Sequence, residues 1–439
     1  MPVIGLDFGT TNSALCVAGN SALCVAGAGD EPVMAQFADG AVSTDTFRSI
    51  LFFSAEAPAD DRARASAGPN AIREYLAAGG AGRLIQSLKS FLADHGFQST
   101  EIFKRIYRLE DLVALILVPL RAEAEAFLGT LGNSAVVGRP VHFSSAVSAD
   151  DERLAVARLE VALKRAGFAQ VTFEYEPVAA AYYYGQRVER EEVVLIGDFG
   201  GGTSDFSLLR ISPGAGGHIG YEILGNDGVA IAGDAFDREL LRHLIAPELG
   251  RGSKYRSPYG RILPIPNPIY FSFERWHQLS FMKARATMSR LEELKRTALE
   301  PGKIEALIHI VSNDLGYRLF RAVERTKAEL SSAEQSMFSF ADHPVAIEKL
   351  VTRAEFERWI TPELKAIAEC VDRLMAKTTM AAARVDRAFL TGGSSFVPAV
   401  RRIFQSRFGE EKIRTGDEFT SVARGLALRG LDLIPGSPR

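Results

Sequence analysis

The chain has 439 residues, 47% of them hydrophobic, and carries 51 basic against 54 acidic side chains for a net charge of −3. That length is ample for a large core and favours two lobes over one, and the near-balanced charge gives no electrostatic reason to expect nucleic acid or an anionic membrane as partner. The three cysteines, Cys16, Cys24 and Cys370, make neither a disulfide framework nor a zinc spacing.

In chain order, VIGLDF and SALCVA read as a β-hairpin closed by a Gly-Thr-Thr-Asn turn. The chain opens straight into that strand with no charged leader, which predicts a cytoplasmic, reducing location. The octapeptide NSALCVAG occurs twice in succession, at Asn12–Gly19 and Asn20–Gly27. Eight is an even number, so either copy keeps every side chain on its face of a strand. The expectation is that the first copy pairs with strand 4–8 and the second only lengthens the hairpin. PVMAQF and SILFFS follow as short strands. Residues 61–130 are predicted to be largely helical, ending in LEDLVALILVPLRAEAEAFLG, whose apolar stripe stops at Gly129. Its longest apolar run, Leu112–Leu120, is far too short to span a bilayer. SAVVGRPVHF is a predicted strand, SADDERLAVARLEVALKRAG a capped helix ending at Gly167, and VTFEYEP another strand. The pattern is α/β.

VVLIGDFGGGTSDFSLLRI, from Val193, then repeats the form of VIGLDFGTTNSALCV: an apolar strand, Asp-Phe-Gly, a turn of small residues, a second strand. This repeat makes two similar lobes of the chain. A Pro- and aromatic-rich stretch, YGRILPIPNPIYFSFERWH, comes next and reads either as a partner surface or as an insertion packed on its own lobe. Long helices run to about residue 335 and strand–helix units to Leu433. Thr352 and Glu355 form a capping box.

A strand ending in Asp and followed by a Gly/Thr turn sets backbone N–H groups and hydroxyls beside a fixed carboxylate. Glycines let the main chain approach phosphate oxygens, and successive N–H groups make an anion nest. A carboxylate beside phosphates needs an intervening cation, and Mg²⁺ with its waters supplies one. Two such hairpins, heading two lobes, can close on a triphosphate from opposite sides. The seven histidines show no ligand spacing.

GLDFGTTNS, DFGGGTSD (Asp198–Asp205), YEPVAAAYYYG (Tyr175–Gly185), VERTKAELSS (Val323–Ser332), VTRAEFE (Val351–Glu357), LTGGSSFVP (Leu390–Pro398) and GDEFTSVARGLAL (Gly416–Leu428) stand in the order seen in the heat-shock protein 70 family of DnaK-type chaperones. The sequence resembles that family's ATPase domain over nearly its whole length. The GRP of VVGRPVHF and the insert after residue 250 are closer to its stand-alone YegD-type members. The resemblance implies an actin-like ATPase fold: duplicated ribonuclease-H-like lobes, four subdomains and a nucleotide cleft. Lobe I would span 1–187 with an outer subdomain at 46–109. Lobe II would span 188–435 with an outer subdomain at about 238–332, leaving a tail at 436–439 and no peptide-binding domain.

By the same resemblance, Asp7, Gly9, Thr10 and Thr11 would form the first phosphate loop, and Gly200, Gly201, Gly202 and Thr203 the second. Asp7 and Asp198 would hold Mg²⁺ through water. Asp7, Asp198 and Glu176 would orient the Mg²⁺ waters or the attacking water, with Asp205 close by and Thr203 in the catalytic set, and Lys89 would neutralise charge on the γ-phosphoryl group. Gly233 would approach the phosphates. Glu324, Lys327, Ser331, Gly392, Gly393, Ser394, Phe396 and Asp417 would take the adenosine. Phe396 stands where the family has arginine, and Ala232 where it has glycine. The implied function is slow Mg-dependent ATP hydrolysis coupled to lobe closure, in a monomer with a protein client or co-chaperone. The alternatives are a filament-forming ATPase of the MreB kind, a small-molecule kinase, and a nucleotide-sensing scaffold without turnover. For Lys89 alone the plain reading is a surface lysine on a helix, and for Glu324 and Lys327 a solvated pair one turn apart.

Overall fold

The computed structural model describes residues 2–19, 31–39, 42–55, 65–78, 82–214, 219–274, 282–415 and 420–433. The chain divides into two compact units. Met1–Glu74, Leu84–Gly233 and Leu364–Arg439 form the first, and Tyr75–Arg83 with Asp234–Glu363 the second.

The first unit holds two mixed sheets of the same design. In one, β1 (Val3–Asp7) lies antiparallel to β2 (Asn12–Ala18), which pairs in turn with β3 (Val33–Met34). On its other side β1 runs parallel to β4 (Ser134–Arg139), and β4 parallel to β5 (Gln170–Tyr175). In the other sheet β6 (Glu192–Phe199) lies antiparallel to β7 (Ser204–Pro213), and β7 antiparallel to β8 (Ile219–Val229). Here too the first strand has parallel neighbours, β9 (Arg387–Thr391) and then β10 (Ile413–Thr415). The repeat read from the two Asp-Phe-Gly strings is therefore a repeat of whole sheets, and each string ends the strand at the switch from antiparallel to parallel neighbours. Ligands of α/β sheets bind at the carboxyl ends of strands at such switch points.

The first octapeptide copy is β2, paired from Val3↔Ala18 to Asp7↔Ala14. The second copy, Asn20–Gly27, lies outside the described residues.

Helices cover the sheets. α1 (Leu109–Leu128) buries Leu109, Leu112, Val113, Ile116, Leu117 and Leu120 and stops at Gly129, where φ is 82°. α2 (Ala149–Arg165) is capped by Ser148, whose hydroxyl accepts from Asp151 N while Asp151 accepts from Ser148 N. α3 (Glu176–Gly185) opens on Glu-Pro, and α4 (Ser421–Leu433) is rich in Ala and Gly. Those small residues decide how α4 packs. A Cβ on Gly425 would lie 1.7 Å from Ala179 O of α3, and one on Gly5 of β1 would lie 2.3 Å from Ala423 O. The backbones of α4, α3 and β1 meet with no room for a methyl group.

Residues 61–130 correct the sequence reading. Gly68–Ala77 is helical, but a strand at Gly82–Gln86, a 3-10 turn at Leu88–Phe91 and a hairpin of Ser99–Ile102 with Arg105–Arg108 precede α1. The hairpin turns on Phe103 and Lys104, with φ of 48° and 66°. Such two-residue turns normally use Asn or Gly, so this one left no compositional mark.

The second unit is built on three helices, Arg285–Thr297, Pro301–Ser312 and Gly316–Ser332, with a hairpin of Gln335–Asp342 and Val345–Thr352. Ile304, Leu307, Ile310 and Val311 give the middle helix its buried face. The capping box at Thr352 forms as predicted, with Thr352 Oγ1 accepting from Glu355 N.

Candidate functional site

β1 ends at Asp7, and the turn after it needs Gly9, where a Cβ would sit 1.9 Å from Asn12 O. The second turn is closed by Gly200 N donating to Thr203 O at 3.0 Å, and Gly233 N reaches Gly200 O at 3.4 Å. A Cβ on Gly202 would lie 3.1 Å from Ser144 Oγ, 3.6 Å from Ser90 Oγ and 3.7 Å from Thr10 Oγ1. The two predicted phosphate turns therefore come together, lined by hydroxyls. Gly392 closes the same end of the second sheet. Its φ is 83°, and a Cβ there would lie 2.1 Å from Phe199 O. Gly393 begins a 3-10 turn through Phe396 in which Ser394 is buried and Phe396 half exposed.

The carboxylates gather at this end. Asp198 stands opposite Asp205 on β7 and beside Thr391 on β9. Lys89 is not a surface lysine: it is 8% exposed, and its Nζ donates to Glu176 Oε1 at 2.7 Å. The 3-10 turn that carries it is entered through Ser87 at φ 56°. Glu176 has its place because β4 has glycine at 138, where a Cβ would lie 3.0 Å from Glu176 Cγ. Asp205 Oδ1 accepts from Val141 N at 2.8 Å and His142 N at 3.4 Å, and Thr203 also hydrogen-bonds to this carboxylate.

Four acids surround one buried ammonium, and the three aspartates among them are all raised. Burial pushes Asp7 up to about 7, Glu176 adds to the rise, and Lys89 opposes it. Burial and the Glu176 charge likewise lift Asp205 to about 7 against its hydrogen bonds. Asp198 is raised by burial, then by Glu176, Asp7 and Asp205. Burial works against the Lys89 ammonium, but Glu176, Asp7 and Asp205 outweigh it and hold its pKa above the ordinary lysine range. A set of this kind stores protons near neutral pH or exchanges them for a cation.

In the second unit Lys327 Nζ donates to Asp237 Oδ2 at 2.7 Å, and Arg321 donates to Glu324 at 2.8 Å. Ser331 Oγ donates to Lys327 O one turn back. Asp237 is buried, lifted to about 7 by desolvation against the pull of Lys327, and its Oδ1 has no partner among the described residues. Asp234 beside it is raised for the same first reason. Asp417 lies outside the described residues. Sequence reasoning missed Asp237 as the partner of Lys327, though the string AGDAFD contains it. It also missed Ser90 and Ser144, since isolated serines carry no periodic signal.

Among the described residues no group of three or more His, Cys, Asp or Glu side chains is arranged to hold a metal directly, and no helix is long and apolar enough to cross a membrane. The family model described as Hsp70 protein matches residues 92–253 and 301–437, well over half of the chain. The chain belongs to the Hsp70 family. It is an Hsp70-like ATP-binding protein with the actin-like ATPase fold that the family shares. The matched segments contain Glu176, the second phosphate turn, Glu324–Ser331 and Gly392–Ser394. Asp7–Thr11 and Lys89 of this Hsp70-family chain precede the first segment. Geometry ties them to it, through Lys89 to Glu176 and through Thr10 to Gly202.

Proposed function

We propose that this Hsp70-family chain binds Mg·ATP at the joined phosphate turns, hydrolyses it slowly, and passes the nucleotide state on as a change of conformation. The supporting observation is the buried Lys89–Glu176 pair set among Asp7, Asp198 and Asp205. In this reading the glycine turns and Thr10 bind the phosphates, and Lys89 meets charge developing on the γ-phosphoryl oxygens. Glu176 fixes the lysine, and Asp205, itself fixed by Val141 N, orients water.

The residues suit a magnesium ion. Mg²⁺ prefers oxygen ligands and keeps several of its waters, and here hard carboxylates carry more negative charge than one lysine offsets. Asp7 and Asp198 would hold it through those waters, where it would offset phosphate charge. Adenosine recognition by Glu324, Lys327, Ser331, the Gly392–Ser394 turn, Phe396 and Asp417 is part of the same proposal, as are a cytoplasmic location, a monomeric state, the lobes at 1–187 and 188–435, and a chaperone-related protein partner.

The test is phosphate release from ATP by the full chain with Mg²⁺ and no added acceptor. Slow release that stops on chelation supports the reading. Release that needs a small-molecule acceptor would make the chain a kinase, and ATP-dependent pelleting would favour a filament-forming ATPase.

A further inference from the structure

The strongly basic, partly apolar hairpin in the second unit is not used by the nucleotide chemistry. Lys254–Arg256 pairs antiparallel with Ile262–Pro264, and the hairpin is fixed to the body by Leu299 N donating to Lys254 O at 2.8 Å and Ile265 N to Ser253 O at 2.9 Å. Its tip is stapled three times. Gly260 N donates to Ser257 O at 2.9 Å, Ser257 N to Arg261 O at 2.8 Å, and Arg261 N to Ser257 Oγ at 3.1 Å. Pro258 restrains the backbone within the turn, and Gly260 takes φ 77°.

This tip leaves apolar side chains in water. Tyr259 is 93% exposed, Ile262 52% and Leu263 39%. Lys254, Arg256 and Arg261 are exposed around them, and no ion pair engages any of the three among the described residues. Between Glu248 and Glu274 the sequence has four cations and no acid, in a chain whose net charge is −3. Among the described residues only Arg251 of the four is neutralised, by the buried Glu274. The outer edge is also blocked for strand addition, since Pro264 has no N–H to give and Pro266 and Pro268 follow it. Arg256 and Ile262 lie across from each other on one side of the hairpin, Arg261 and Leu263 alternate to the other, and Tyr259 stands at the tip, so the hairpin suits side-chain docking by a segment that wraps its tip and not sheet extension.

We propose that the Lys254–Pro264 hairpin is a docking site for an acidic protein segment carrying aliphatic or aromatic side chains. Charge and apolar surface together select the partner: three cations with no ion pair among the described residues need anionic groups, while Tyr259, Ile262 and Leu263 need apolar side chains, which a nucleic acid backbone lacks. Because the tip is held by its own hydrogen bonds and proline, ordering it costs little on binding. The site lies between the two segments matched by the family model, at residues 254–264.

The test uses the full chain and a fluorescent peptide of about ten residues that alternates Asp or Glu with Leu or Phe. Comparison probes are poly-glutamate of equal length and a single-stranded oligonucleotide. Wild type is expected to bind the alternating peptide best, with affinity falling as salt rises from about 50 to about 300 mM. Arg256→Glu with Arg261→Glu, and separately Tyr259→Ala, are each expected to weaken it by about tenfold or more while thermal melting stays unchanged. Absence of peptide binding, or equal binding by wild type and both variants, overturns the proposal. Tighter binding of the oligonucleotide overturns it in favour of nucleic acid. A wild-type dimer that Tyr259→Ala dissolves overturns it in favour of a second copy of the chain.

Discussion

Replacing Lys89 by methionine tests the charge bookkeeping of the carboxylate cluster. The substitution keeps an unbranched chain of similar length but removes the ammonium that Glu176 accepts at 2.7 Å, with both side chains buried. A carboxylate stripped of its buried partner does not stay charged; it takes up a proton in the folded state. From an ordinary glutamate value of about 4.3, keeping that proton costs 1.36 kcal/mol per pH unit, which is about 4 kcal/mol near pH 7 and about 1 kcal/mol near pH 5. These are ceilings, and the first agrees with the roughly 3–5 kcal/mol lost when one member of a buried pair is removed. The sign follows from linkage. The folded-state pKa is raised in the variant, so stability is intact at low pH and is lost as pH rises. Urea unfolding of wild type, Lys89→Met and Lys89→Met with Glu176→Gln, near pH 5 and pH 7, measures it. The single variant should lose at least about 2 kcal/mol more at the higher pH, and the double variant should recover most of that loss. A loss independent of pH, or one that Glu176→Gln fails to relieve, refutes the argument.

Other outcomes follow from the same structure. Asp205 titrates near 7 when folded, so the folded state holds an extra proton between about pH 4 and pH 7 and stability falls across that window. Asp205→Asn keeps an oxygen for Val141 N, and should be more stable than wild type near pH 8 in urea unfolding yet impaired in ATP hydrolysis; equal or lower stability counts against the assignment. Mg·ATP binding should expel protons held near neutral pH by Asp7 and Asp205. Calorimetry in buffers of different ionisation enthalpy should show proton release and weaker binding at about pH 6 than at about pH 8. Gly392→Ala meets Phe199 O at 2.1 Å in a left-handed backbone, so it should lower stability by well over the roughly 1 kcal/mol of the conformational term alone. An unchanged urea midpoint would contradict that.

Most of the fold was legible because its signals are local. The Asp-Phe-Gly strings, the stops at Gly129 and Gly167, and the caps at Ser148 and Thr352 each fix a boundary by chemistry within a few residues. Residues 82–108 were not legible, because their strands are short and their turn uses Phe103 and Lys104 in place of glycine. In the candidate site Asp7, Asp198, Glu176 and Lys89 came from motif order, not from any periodicity. The burial of Lys89 against Glu176, and the room that Gly138 makes for it, come only from tertiary packing. The same holds for Asp237, 90 residues from Lys327 in sequence.

Single-turnover hydrolysis of ATP with Mg²⁺, wild type beside Lys89→Ala, tests the central claim most directly. The account predicts slow cleavage by wild type and a loss of about a hundredfold or more in the variant, with ATP still bound. ATP bound by both and cleaved by neither, or cleaved equally by both, would contradict it.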